Sequence, residues 1–93
     1  MNIEDMKRIL RISTDKFNDD IFDLQEAAID DLRLAGIHID DPDDPLVKRA
    51  IQTYLRLNFG PLDPSMANSL KAAYDEQKKQ LLTAHDTYRG EEQ

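Results

Sequence analysis

The chain has 93 residues, no cysteine, and 19 acidic against 12 basic residues, for a formal net charge of -7. Such a length makes one domain with a modest core, which no disulfide reinforces and in which no thiolate chemistry is available. No apolar run approaches the roughly 20 residues that cross a bilayer as a helix, and the acidic balance argues against nucleic-acid binding through a broad basic face.

Four helices and no strand are expected, an all-α small bundle with a longer C-terminal helix. The opening Met1-Asn2-Ile3-Glu4-Asp5 lacks the basic region and apolar segment of a targeting signal, so an untargeted soluble protein is expected. Ile3, Met6, Ile9 and Leu10 give the first helix, from about Ile3 to Arg11, one apolar stripe, with Asn2 as a candidate cap. It is too short to persist undocked. Ser13-Thr14-Asp15-Lys16 breaks the pattern. A second helix starts at Asn18 or Asp19 and ends near Ala35, with Gly36 as the stop. Its main face is Ile21, Leu24, Ala28, Leu32 and Ala35. Phe22 and Ile29, with Phe17, widen the apolar arc, which buries either in the monomer or in a subunit contact.

Ile37-His38-Ile39-Asp40-Asp41-Pro42-Asp43-Asp44 carries two chain-breaking signals, proline and clustered aspartate, and is expected to be an exposed loop. A calcium loop beginning at Asp41 would place Pro45 fifth, Leu46 where glycine is required and Gln52 twelfth, so the EF-hand pattern is absent. Asp43 and Asp44 instead suit helix capping. Asp44-Pro45 opens a third helix that Gly60 closes, with Leu46, Val47, Ala50, Ile51, Tyr54, Leu55 and Asn58 at helical spacing. Asp63-Pro64 repeats the signal and opens the fourth helix. Met66, Leu70, Ala73, Tyr74, Gln77, Leu81, Ala84 and Tyr88 carry its stripe over about 22 residues, or about 33 Å. Tyr54 and Tyr74 fall on the stripes of consecutive helices and are expected to meet, with their hydroxyls reaching outwards. Residues 1-88 form the expected domain and 89-93 a flexible tail.

No catalytic constellation emerges. His38 and His85 are far apart without a zinc-ligand spacing, and adjacent acids such as Asp30-Asp31 point about 100° apart on a helix, which suits solvation better than paired acid-base work. Ser13 and Ser69 have no histidine and acid nearby in sequence, and the glycines form no phosphate loop. No catalytic residue, metal site or cofactor is expected.

Three segments in order carry a resemblance. They are Ile3-Glu4-Asp5-Met6-Lys7-Arg8-Ile9-Leu10-Arg11-Ile12, then Asp19-Asp20-Ile21-Phe22-Asp23-Leu24-Gln25-Glu26-Ala27-Ala28, then the helix with Pro45, Lys48, Ala50 and Ile51. Together they resemble the small head-to-tail connector proteins of long-tailed bacteriophages and prophages, over roughly two-thirds of the chain. The resemblance implies a structural protein that forms a ring of about a dozen subunits on the portal, extends the DNA channel and docks the next neck or tail component. It implies a homo-oligomer that can be monomeric when isolated, DNA passing through without specific binding, and assembly in the bacterial cytoplasm before residence in the virion. Partner-interface candidates are Phe22 and Ile29, the loop residues Ile37, His38, Ile39, Asp40 and Asp41, and Tyr88 with Arg89 near the C-terminus. The competing class is a small intracellular helical interaction module or regulator that binds through the second helix. A metal-dependent enzyme using the aspartate loop is a third and weaker one.

Overall fold

Local chemistry marks the start or stop of four helices in the structure, a computed structural model that describes residues 1–92, with side chains described through Ala84. Helix α1 spans Ile3–Leu10. The Asn2 side chain accepts from the Asp5 N–H at 2.8 Å, and Arg11 ends the helix in the left-handed region with φ of 58°. The backbone N–H of Ile12 then returns to the Lys7 carbonyl at 2.9 Å, which satisfies a helix-end acceptor.

Helix α2 spans Asn18–Leu34 and stops where Gly36 takes φ of 93°, a conformation that costs a residue with a Cβ. Helix α3 spans Pro45–Asn58. Asp44 caps it, its carboxylate accepting from Leu46 N–H at 3.0 Å and Val47 N–H at 3.4 Å. Helix α4 spans Pro64–Glu92, and Asp63 accepts from Met66 N–H at 2.8 Å at its start. The cap-then-proline signals at Asp44-Pro45 and Asp63-Pro64 both operate as expected. The tail expected at 89-93, and the candidates Tyr88 and Arg89, lie outside the residues whose side chains are described.

Helix α3 is the hub, packing against each of the other three. Its Ala50, Ile51 and Leu55 are fully buried, as are Met6 from α1 and Ile21, Ala28 and Leu32 from α2, while Tyr74 and Leu81 bring α4 into the same cluster. Burying such side chains is the main favourable term available to a chain this short. Ala35, Asn58 and Ala84, at the ends of their stripes, are exposed, and so are two large apolar side chains. Leu46 and Met66 are each 45% exposed, because both sit in the first turn of their helices, at the edge of the packed region.

The connection before α3 departs most from expectation. Ile37 and Ile39 are 2% and 8% exposed and belong to the core, whereas His38 and Asp40 face solvent. Burial thus alternates along the segment, which places both isoleucines in the core cluster and leaves His38 and Asp40 on the solvent side. The expectation of a wholly exposed loop is therefore corrected for these two residues.

Candidate interaction surfaces

The candidate residues divide by burial. Ile29, Ile37 and Ile39 are used up within the chain, so they hold the monomer together, while Phe22 remains 44% exposed on α2. The wider apolar arc of α2 is thus split, with Ile29 in the core and Phe22 at the surface. Phe17, beside it in the arc, meets Phe59 edge to face at 5.7 Å between ring centroids. His38 and Asp40 pair on the solvent side of this segment, Nε2 to Oδ1 at 2.6 Å. Asp41 organises a turn, its carboxylate accepting from the Asp43 N–H at 2.9 Å and its carbonyl from the Asp44 N–H at 3.0 Å. Two of the four aspartates are thereby committed to backbone geometry. Among the described residues no group of three acidic or imidazole side chains converges in a way that could hold a metal ion.

Tyr54 and Tyr74 do meet, with ring centroids 5.6 Å apart, but the Tyr74 hydroxyl does not reach outwards. It donates a hydrogen bond to the Asp31 carboxylate, tying α4 to the end of α2. Burial, and then the hydrogen bond to Asp31 and its charge, raise the ionisation of Tyr74 well above its ordinary value. Lys78 completes the group, its Nζ 4.7 Å from the Tyr74 ring centroid and 3.6 Å from Asp31. Asp31 is consequently a structural anchor, which corrects its reading as one of a solvated pair. On α1, Lys7 is only 7% exposed and donates from Nζ to Asp15. That hydrogen bond, followed by the Lys7 charge, holds the Asp15 carboxyl below its usual range, while the same contact raises Lys7. The pair fastens the polar stretch after α1 to the helix itself.

A feature that no stretch of sequence displays lies between α1, α3 and the first half of α4. Here a groove of about 850 Å³ is lined by Arg8 and Arg11 from the end of α1 and by Arg49 and Arg56 from α3. Ile9, Leu10, Met66 and Leu70 supply apolar lining between them, and no acidic side chain lines the groove. Four of the six arginines of an acidic chain therefore converge on one concavity. Arg8 lies 3.5 Å from Asp5, and Arg11, Arg49 and Arg56 have no ion pair among the described residues. Arg49 and Arg56 are seven residues apart, two turns of one helix, which was the available sequence signal; Arg8 and Arg11 join them only through the packing of α1 on α3.

By fold the described chain is an all-α protein, a small bundle of four helices. More specifically, the chain belongs to the phage connector protein family, whose family model matches residues 3–88. No curated protein and no solved structure matches it. Membership brings a structural connector role, interaction with other phage head or tail components, and a place in the virion. Among the described residues no helix is long and apolar enough to cross a membrane.

Proposed function

We propose that this protein is a head-to-tail adaptor that forms a ring of about a dozen copies on the portal, extends the DNA channel and receives the next neck or tail component. The family match across residues 3–88 carries this reading. Two physical features support it. A ring requires each subunit to present two different surfaces to its two neighbours, and the exposed face of α2 and the arginine-lined groove are different in shape and charge. The net charge of -7 also suits a wall past which a duplex of the same sign must slide without adhering. DNA then passes through without specific binding, and assembly takes place in the host cytoplasm before the protein becomes part of the virion. Many weak contacts combine on a portal template, so a monomer in dilute solution is compatible with a ring on the portal.

Negative-stain electron microscopy with mass measurement tests the reading, on the concentrated protein alone and mixed with the portal protein encoded beside it. Rings, or a collar added to the portal, are the expected result. A chain that stays monomeric at high concentration and ignores the portal would refute it and return the assignment to a one-to-one interaction module.

A further inference from the structure

We infer that the arginine-lined groove is the acceptor for the outward face of α2 from a second copy of this chain. The inference deepens the ring reading above and rests on it for the closure of successive contacts. Helix α2 carries six carboxylates, at Asp19, Asp20, Asp23, Glu26, Asp30 and Asp31, against the single basic residue Arg33. Asp19, Asp23, Glu26 and Asp30 follow the spacing i, i+4, i+7 and i+11, so they form one stripe along the helix, and all four are exposed. None has an ion pair among the described residues. Two large apolar side chains flank the stripe: Phe22 is 44% and Leu34 is 88% exposed.

The groove offers the complement of each feature. Its guanidinium groups match carboxylates as charged, forked donors, and its apolar lining between α1 and α4 suits the phenyl and isobutyl groups that α2 leaves in water. The two surfaces do not meet within one chain, since no residue of α2 lines the groove, and of its four arginines only Arg8 has an ion pair among the described residues. The partner is identified by this match of an acidic, aromatic-bearing helix to a basic, apolar-floored concavity. A duplex is the less fitting occupant, because phosphate contacts give no use to Ile9, Leu10, Met66 and Leu70 and the chain as a whole repels it. Because donor and acceptor surfaces are different patches, the contact is head to tail, the kind that propagates from copy to copy until it closes.

Charge exchange tests the contact with the full chain. One variant carries Arg49→Glu and Arg56→Glu, a second carries Asp23→Arg and Glu26→Arg, and a third combines all four; these positions are exposed, and circular dichroism checks that each variant folds. Sedimentation velocity reads self-association from micromolar to near-millimolar concentration, and electron microscopy reads collar formation on the portal. The first two variants should each lose assembly by roughly tenfold or more in affinity. Mixed together they should assemble again by strict alternation, since the groove of each variant meets the oppositely charged α2 face of the other. The fourfold variant should regain assembly, because its charges are complementary again. Added salt should weaken the parent contact. Variants that assemble like the parent overturn the groove assignment while leaving the ring reading intact. A parent that assembles neither alone nor on the portal overturns both. Retention of duplex DNA by the parent, lost in the Arg49→Glu, Arg56→Glu variant with assembly unchanged, would reassign the groove to nucleic acid.

Discussion

Replacing Tyr74 with phenylalanine isolates the hydrogen bond that joins α4 to α2. The ring remains, so its contact with Tyr54 at 5.6 Å and the Lys78 ammonium at 4.7 Å from its centroid are kept, and only the hydroxyl's bond to Asp31 is removed. Hydrogen bonds to charged groups contribute about 1.5–3 kcal/mol. The Asp31 side chain is 40% exposed, and Lys78 lies 3.6 Å from it, so the carboxylate recovers water and keeps a counter-charge once the hydroxyl is gone. This places the expected loss at the lower end, about 1.5 kcal/mol. At about 4–8 °C per kcal/mol for a domain of this size, the melting temperature should fall by about 6–12 °C. Thermal unfolding followed by far-ultraviolet circular dichroism measures it. A second readout checks the cause. Because Tyr74 is held above its ordinary value of 10.0, the unfolded chain ionises first as pH rises past that value. The unfolded state then binds fewer protons than the folded one, and stability falls. The parent should therefore lose stability above about pH 10 more steeply than Tyr74→Phe. An unchanged melting temperature together with parallel alkaline profiles would refute the assignment of this bond as a tie between the helices.

Three further outcomes follow from the same structure. Ile51→Ala opens a cavity at a fully buried position on the central helix and should cost about 2–5 kcal/mol in denaturant unfolding, whereas a loss below about 1 kcal/mol would show that α3 is not the hub. Asp44→Ala removes the α3 cap and should cost about 0.5–2 kcal/mol, with Asp44→Asn recovering most of it if capping is the cause. Asp15→Asn should destabilise the protein at neutral pH. Since the folded Asp15 carboxyl titrates below its ordinary value of 3.8, its contribution is present above that value and is lost as pH falls through the folded one, so parent and variant should converge in acid. A constant difference between them at all pH values would assign the effect to something other than the Lys7 contact.

Helix boundaries were legible because they depend on neighbours in sequence. A carboxylate followed by proline at Asp44-Pro45 and Asp63-Pro64, and the left-handed stop at Gly36, act within a few residues and need no tertiary partner. The burial of Ile37 and Ile39 was also signalled, by alternation with His38 and Asp40, but the aspartates and prolines around them favoured a solvated loop. Local turn chemistry and core burial coexist there because alternate side chains of the segment are buried and exposed. The anchor at Asp31 was not legible in the same way. Its partner Tyr74 lies 43 residues away, and an acid next to another acid on a helix reads as solvent-facing until a second helix is laid against it.

Sequence by itself determined that this chain is an all-α, cysteine-free, acidic domain, where its helices begin, and the order of segments that resembles the connector family. Those properties are sums over composition or short-range rules about caps, breakers and period. Tertiary structure alone decided which apolar residues are spent in the core and which, such as Phe22, are left at the surface. It also decided that arginines at positions 8, 11, 49 and 56 form one basic groove within a chain of net charge -7. Net charge adds without regard to place, whereas recognition depends on which charges share a surface, and that is set by how the helices pack.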